Sequence, residues 1–208
     1  MAQPAARITA AVLAATILLA MIPPLLNSSA EHGGLLAGAW ALLRFFTITT
    51  NTLVGVVFAQ IAWRGPDRIS PGLLGGSMLA IVLVGVVFNL LLGGLTHATV
   101  WDWLGDRIHH VVMPVLVPLW WLVFARKGAL RSSDPLRWAL YPLAYAGYIF
   151  LRVGLETPGA GIAYPYFFMD ADRLGYLQAI ANMGAIALGF VLTGYGVVWL
   201  DRRLALRG

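Results

Sequence analysis

Six apolar segments, each about as long as a helix that crosses a membrane, occupy most of this chain and leave it few ways to fold. A bilayer core is about 30 Å thick, so a helix needs roughly 20 apolar residues to cross it. The chain is 60% hydrophobic and 11% charged, whereas a soluble domain carries about 25% charge. We therefore predict an all-α integral membrane protein, with residues 1–208 forming a single domain of six transmembrane helices. The predicted spans are about 7–27, 39–62, 72–94, 107–125, 136–155 and 174–199.

The first apolar segment also has features of a secretion signal, because Arg7 precedes it and small residues follow at 27–30. Its apolar stretch is longer than the core of a signal peptide, which is usually about 7–15 residues. We predict a membrane span that ends near Pro23 and Pro24, since prolines break or kink a helix.

The charges in the loops predict how the spans are oriented. Ten of the fourteen basic residues fall on one side of the threaded chain: Arg7, Arg64, Arg68, Arg126, Lys127, Arg131, Arg137, Arg202, Arg203 and Arg207. Six of the nine acids fall on the other: Glu31, Asp102, Asp106, Glu156, Asp170 and Asp172. Because Lys and Arg collect in cytoplasmic loops, both termini are predicted to be cytoplasmic.

Composition argues against several classes of function. The net charge of +5 would suggest nucleic-acid binding in a soluble protein, but the cytoplasmic loops account for it and no run of five or six basic residues occurs. The absence of cysteine excludes disulfides, thiolate metal sites and cysteine nucleophiles. With four histidines and no HExxH motif, we expect neither a metal nor a cofactor. The expected partner is a membrane lipid, not nucleic acid, and no oligomeric state is predicted.

Strongly polar residues inside the spans all fall in the outer half of the membrane in this threading. A charged side chain at the bilayer centre costs about 3 kcal/mol on insertion scales, so such residues usually face inward and often serve a function. Spacings of three and four residues place them on common helix faces. We predict one polar pocket in the interior of the bundle. Its residues are Arg44, Thr47, Asn51, Asn89, His109, Tyr148, Arg152, Gln178 and Asn182.

Two histidines and two acids lie together at the start of the fourth span. His109 follows Asp106 by three residues and Asp102 by seven, so a carboxylate could orient its ring as a general base requires. His110 is about 100° away on a helix, so only one of the two rings can point fully into a pocket. The alternative is that both histidines lie in the headgroup region and serve no chemistry.

Thr47 begins a run of polar residues that is unusual in a membrane span. Hydroxyls such as those of Thr49 and Thr52 often bond to a carbonyl one turn earlier and then cost little. Thr47 differs because Arg44 and Asn51 are expected on the same stripe. A hydroxyl beside an imidazole is a potential acyl-transfer nucleophile, and neighbouring donors could stabilise an oxyanion.

The two arginines within the predicted spans have two interpretations. Arg44 and Arg152 could hold an anionic group such as a fatty-acid carboxylate or a lipid phosphate. Alternatively, an arginine near the end of a span can extend its charge toward water, and Arg152 can pair with Glu156 four residues later.

Three short motifs resemble the androgen-induced protein family, which includes the androgen-dependent TFPI-regulating protein. They are Arg44-Phe45-Phe46-Thr47, the spacing of His109 to Pro114, and Tyr164-Pro165-Tyr166. The chain is most similar to bacterial six-pass relatives, with which it shares the Phe-Thr-x-x-x-Asn and His-His-Val-Val-x-Pro patterns. The resemblance covers roughly residues 40–200. Asn51 follows the bacterial pattern, whereas His110 stands where the animal proteins have threonine.

The resemblance implies an intramembrane threonine hydrolase that cleaves fatty acid esters of hydroxy fatty acids, with Thr47 as the nucleophile and His109 as the base. Asp106 or His110 would orient the base. The expected location is the bacterial inner membrane. The alternatives are a protein that binds or transports a lipid anion without covalent chemistry, and a structural membrane subunit. The predicted substrate-binding residues are Arg44, Asn51, Asn89, Tyr148, Arg152, Gln178 and Asn182.

Overall fold

A computed structural model describes residues 2–93, 99–156 and 164–206, and within these ranges the chain is helical and has no strand. The all-α prediction is confirmed for this part of the chain. The helices are α1 (Ala2–Ala20), α2 (Ile22–Glu31), α3 (Leu35–Leu42), α4 (Phe46–Arg64), α5 (Pro71–Val87), α6 (Val100–Arg107), α7 (Met113–Phe124), α8 (Asp134–Leu155), α9 (Ala171–Leu174) and α10 (Tyr176–Ala205). A π-helical turn over Phe88–Leu92 extends α5, and another over Ile108–Val112 joins α6 to α7.

Five helical segments of the described chain are long and apolar enough to cross a membrane, as in a multi-pass membrane protein. They are Gln3–Glu31, Phe46–Arg64, Pro71–Leu92, Val100–Phe124 and Tyr176–Ala205. α8 has the necessary length at 22 residues, but its arginines and tyrosines make it more polar.

The helical chain forms two compact units. The first unit consists of Met1–Leu130 and Asp201–Gly208, and the second consists of Arg131–Leu200.

In the first unit, α1 packs against α4 and α5 packs against α7. The edge of the Phe58 ring meets Trp120 with centroids 5.0 Å apart, and Phe58 is fully buried. At one end, the Arg7 side chain donates to the carbonyls of Ala62 and Trp63 at 2.9 and 2.8 Å, satisfying the C-terminus of α4. The start of α1 therefore lies beside the end of α4, and these two helices are antiparallel.

The first span differs from its prediction, because the two prolines start a helix instead of ending one. A turn at Met21 separates α1 from α2. Pro23 and Pro24 lie in the first turn of α2, where a missing N–H removes no intrahelical hydrogen bond. The predicted end near Pro23 is wrong, since the helix continues to Glu31.

The second predicted span is interrupted where it was expected to be continuous. α3 ends at Leu42, and α4 begins at Phe46 after Phe45 adopts an extended conformation. Arg44 lies in the turn between the two helices. The prediction that Arg44 shares one helical stripe with Thr47 and Asn51 is therefore wrong, although Thr47 and Asn51 do lie one turn apart on α4.

Local sequence explains where the helices around the site begin. Ser70 caps α5 by accepting a hydrogen bond from the backbone N–H of Leu73 at 3.5 Å. Thr99 and Asp102 form a reciprocal capping box at the start of α6, with each side chain bonded to the other residue's backbone N–H at 3.1 Å.

The second unit contains α8, α9 and most of α10. Tyr164 is buried and meets the Phe150 ring edge-on at 5.9 Å, while Tyr166 stacks on Phe168 at 5.3 Å. The Tyr-Pro-Tyr motif therefore places both of its aromatic rings in packing contacts within this unit.

Candidate active site

Thr47 lies in the first turn of α4, directly after the interrupted span. The N-cap residue of α4 is Phe45, whose side chain makes no capping bond, while its carbonyl accepts from the N–H groups of Ile48 and Thr49 at 3.1 and 3.2 Å. The first turn of α4 carries the partial positive charge of the helix N-terminus. The Thr47 hydroxyl is therefore placed on a backbone segment that can stabilise negative charge.

The Thr47 hydroxyl contacts His110, although 63 residues separate them in the sequence. Thr47 Oγ1 lies 3.1 Å from His110 Nε2. On the other side of the ring, His110 Nδ1 lies 2.9 Å from Asp106 Oδ1 and 3.1 Å from the Asp106 carbonyl oxygen. Both of those atoms are acceptors, so Nδ1 carries the proton and Nε2 accepts from the Thr47 hydroxyl. The order hydroxyl, imidazole, carboxylate is that of a catalytic triad.

His109 does not occupy this position. Its ring is buried, and Nε2 faces the carbonyl oxygen of Ile17 at 3.4 Å. α1 ends at Ala20, and the Met21 N–H bonds to Leu18 instead of Ile17. His109 can therefore donate to a carbonyl that the break leaves open. The structure places His110, not the predicted His109, beside Thr47, and it places Asp106 as the residue that orients the ring.

Asn89 and Pro114 explain how His110 is held. In an α-helix the His110 carbonyl would accept a bond from residue 114, but proline has no N–H. Asn89 Nδ2 supplies the missing donor at 3.0 Å and also donates to the Gly85 carbonyl at 2.8 Å. Asn89 therefore anchors the backbone of His110, and its amide donors are occupied by these carbonyls.

Gly85 allows Pro114 to come close to α5. A Cβ on Gly85 would lie 2.6 Å from Pro114 Cβ and 2.9 Å from Pro114 Cγ, which is closer than real side chains approach. Gly85 and Asn89 are one helical turn apart, and both contact the segment that carries His110, Gly85 at Pro114 and Asn89 at the His110 carbonyl. π-Helical turns such as Ile108–Val112 are rare and often occur at functional sites.

Two residues of the site were not predicted from the sequence. The Phe88 ring stacks on the His110 ring with centroids 3.7 Å apart and an interplanar angle of 12°. The Arg107 guanidinium binds Asp106 Oδ2 at 2.9 Å and lies 5.9 Å from the Phe88 ring. Phe88 looks like any core residue in the sequence. The adjacent opposite charges of Asp106 and Arg107 were the only available signal for the arginine.

Asn51 is fully buried one turn beyond Thr47. Its Nδ2 donates to the Thr47 carbonyl oxygen at 2.9 Å. Its Oδ1 is also buried and has no donor among the described residues. The sequence predicts Asn51 as a possible donor to an oxyanion, but in the structure its donor is used by the Thr47 carbonyl and its oxygen, an acceptor, is the open group.

Arg44 lies in the turn between α3 and α4 of the first unit, and the other predicted site residues lie in the second unit. Arg152 is buried, with Nη1 donating to Tyr148 Oη at 2.8 Å and Nε to Glu156 Oε1 at 2.9 Å. Gln178 donates to Asn182 Oδ1 at 2.8 Å. Because these residues belong to a different unit from Thr47 and His110, the single pocket of nine residues stays a prediction.

In residues 2–93, 99–156 and 164–206, no group of three or more His, Asp or Glu side chains is placed to hold a metal ion. Comparisons of the chain with protein-family models, curated proteins and solved structures found no match.

Proposed function

We propose that this chain is an intramembrane hydrolase of a lipid ester, with Thr47 as the nucleophile and His110 as the general base. The observation that carries the proposal is the chain of contacts from Thr47 through His110 to Asp106, at 3.1 and 2.9 Å. A threonine, a histidine and an aspartate seldom meet in this order among apolar helices without a chemical use. The resemblance to the androgen-induced protein family supports the same reaction independently.

The first half of the reaction follows from the hydrogen bonds. Asp106 holds the proton of His110 on Nδ1, so Nε2 is free to take the proton of the Thr47 hydroxyl. As that proton leaves, Thr47 Oγ1 attacks the ester carbonyl and forms a tetrahedral oxyanion. The partial positive charge at the N-terminus of α4 would stabilise this negative charge.

The tetrahedral intermediate then collapses. The bond from the carbonyl carbon to the alcohol oxygen breaks, and His110 gives its proton to the departing alcohol. The acyl group remains on Thr47 as an ester, which water must hydrolyse to complete the cycle. Stacking on Phe88 keeps the His110 ring in one orientation throughout these proton transfers.

A lipid ester is the substrate class that fits the location. Thr47 lies at the start of one candidate membrane span and His110 lies within another, and the acyl chains of a bilayer are the substrate groups found at that depth. By resemblance we propose a fatty acid ester of a hydroxy fatty acid as the substrate, and the bacterial inner membrane as the location. We also propose α8 as a sixth span, with both termini cytoplasmic, because its 22 residues reach about 33 Å.

A hydroxyl-reactive fluorophosphonate probe tests the nucleophile. We expect it to label the wild-type protein in detergent micelles, with the adduct on Thr47 located by peptide mass spectrometry. Thr47→Ala should abolish labelling and ester turnover. The matched control is Thr52→Ala, because the Thr52 hydroxyl bonds to the Ile48 carbonyl at 2.8 Å and has no role in the proposal. Equal labelling of Thr47→Ala and the wild type would rule out Thr47.

A further inference from the structure

The fully buried Asn51 presents an acceptor that no donor among the described residues satisfies. Its orientation is fixed, because turning the amide over would place Oδ1 against the Thr47 carbonyl oxygen, where two acceptors repel. Buried acceptors are almost always satisfied by protein or by ordered water. Asn51 Oδ1 is therefore expected to accept a hydrogen bond from a donor outside the described residues, such as a bound molecule.

The open oxygen lies next to the nucleophilic residue. Asn51 Nδ2 is 2.9 Å from the Thr47 carbonyl oxygen, and the two heteroatoms of one amide are about 2.3 Å apart. Oδ1 thus lies no more than about 5 Å from the Thr47 carbonyl oxygen, and because residues four apart share one side of a helix, a donor bound to it is close to Thr47. A water molecule is a suitable donor, since it needs little space and can bond to several polar groups at once.

We propose that Asn51 Oδ1 holds the water that hydrolyses the acyl-Thr47 intermediate, an inference that rests on the proposed function. The bound water donates one hydrogen to Oδ1 and gives its other proton to His110 Nε2. Its oxygen forms a bond to the acyl carbonyl carbon, and the bond from that carbon to Thr47 Oγ1 breaks. His110 returns the proton to Thr47, which leaves a free carboxylic acid and the original hydroxyl.

A role in holding this water would affect only one of the two steps of the reaction, the hydrolysis of acyl-Thr47, and not the acylation of Thr47. Attack by Thr47 on the ester does not use the Asn51 oxygen, whereas attack by water does. Removing the acceptor should therefore slow release of the acyl group and leave its transfer to Thr47 nearly unchanged. Loss of His110 would slow both acyl transfer to Thr47 and release of the acyl group, because His110 moves a proton in both steps. Only loss of the Asn51 acceptor is expected to slow the release alone.

Rapid-mixing kinetics with p-nitrophenyl decanoate distinguish the halves, because the nitrophenol burst reports acylation and the steady rate reports deacylation. Asn51→Leu has a similar shape but no acceptor, and it should keep the burst while its steady rate falls about tenfold or more. Intact-protein mass should then show an acyl adduct that accumulates. Asn51→Asp, as the neutral acid that apolar surroundings favour, donates its O–H to the Thr47 carbonyl oxygen and keeps an acceptor, so it should retain a steady rate within about threefold of the wild type. Ser77→Ala is the matched control, since Ser77 is buried in the same unit and bonds to Leu74.

Three results would overturn the inference. If the burst and the steady rate of Asn51→Leu fall by the same factor, Asn51 supports the whole site and not the water. If the steady rate is unchanged, Oδ1 binds only a structural water. If the wild type shows neither a burst nor an adduct on Thr47, the proposed function itself fails, and this inference fails with it. If Asn51→Leu does not fold, Asn51→Ala measured in parallel against Asn51→Asp gives the same comparison.

Discussion

Two polar contacts around Thr47 in the first unit join separate helices, whereas the ion pair of Arg152 with Glu156 in the second unit lies along one helix. In the first unit, Thr47 and His110 meet across 63 residues of sequence, and Asn89 reaches the His110 carbonyl across 21. In the second unit, Arg152 and Glu156 are four residues apart on the same helix. The first kind of contact exists only when separate helices pack together, whereas the second can form within a single isolated helix.

This difference separates contacts that need tertiary packing from contacts that need only one helix. Gln178 repeats the local pattern, since it donates to Asn182 along one face of α10, whereas Asn182 also donates to the Phe168 carbonyl outside that helix. Both patterns look alike in the sequence, because polar residues three or four apart predict a common face in either case. A polar stripe in a membrane span is therefore stronger evidence of function when its groups bond to other helices.

The largest expected effect distinguishes the two adjacent histidines. His110→Ala should lower ester turnover about 10³- to 10⁴-fold, because the hydroxyl of Thr47 loses its base. His109→Gln keeps a donor for the Ile17 carbonyl and should retain turnover within about threefold of the wild type. Turnover is measured with the same chromogenic ester. A large loss in His109→Gln with normal turnover in His110→Ala would reverse the assignment and restore His109 as the base.

A smaller effect is expected where α5 and the His110 turn touch. Gly85→Ala should lower the free energy of unfolding by about 1–3 kcal/mol, since the new methyl group overlaps Pro114. It should also reduce turnover, because the turn that carries His110 must move. The measurements are denaturant unfolding in micelles and ester turnover.

Gly189→Ala on α10 is the control for that change, because nothing described lies within 4 Å of the added carbon. Alanine favours a helix over glycine by about 0.5–1 kcal/mol, so this variant should be as stable as the wild type or more so. Equal stability of the two alanine variants would show that the contact between Gly85 and Pro114 is not as tight as described.

The smallest effect is expected in the second unit. Gln178→Ala removes one exposed bond along α10 and should change the free energy of unfolding by no more than about 0.5 kcal/mol. Asn182→Ala should cost more, because Asn182 also donates to the Phe168 carbonyl at 2.8 Å. Both are measured by denaturant unfolding. A severe loss of turnover in Gln178→Ala would mean that the local bond conceals a role in the site.

Hydropathy and composition were enough to predict the class of protein and its helical secondary structure. Long apolar segments require helices because a bilayer offers no water to the backbone, and the described residues are helical as expected. Thr47 also stood out from sequence, since its polar neighbours and the family resemblance both pointed to it. Proline positions were less informative, because the same residue can end a helix or begin one, as Pro23 and Pro24 do.

Which histidine faces Thr47 depends on packing between helices and could not be predicted from the sequence. A regular helix predicts the directions of residues 109 and 110 from their neighbours, but the π-helical turn over Ile108–Val112 changes that phase. The turn is stabilised from outside, by the Asn89 amide on the His110 carbonyl and by the close fit of Gly85 to Pro114. Because these contacts come from another helix, the spacing of residues within one segment could not reveal them.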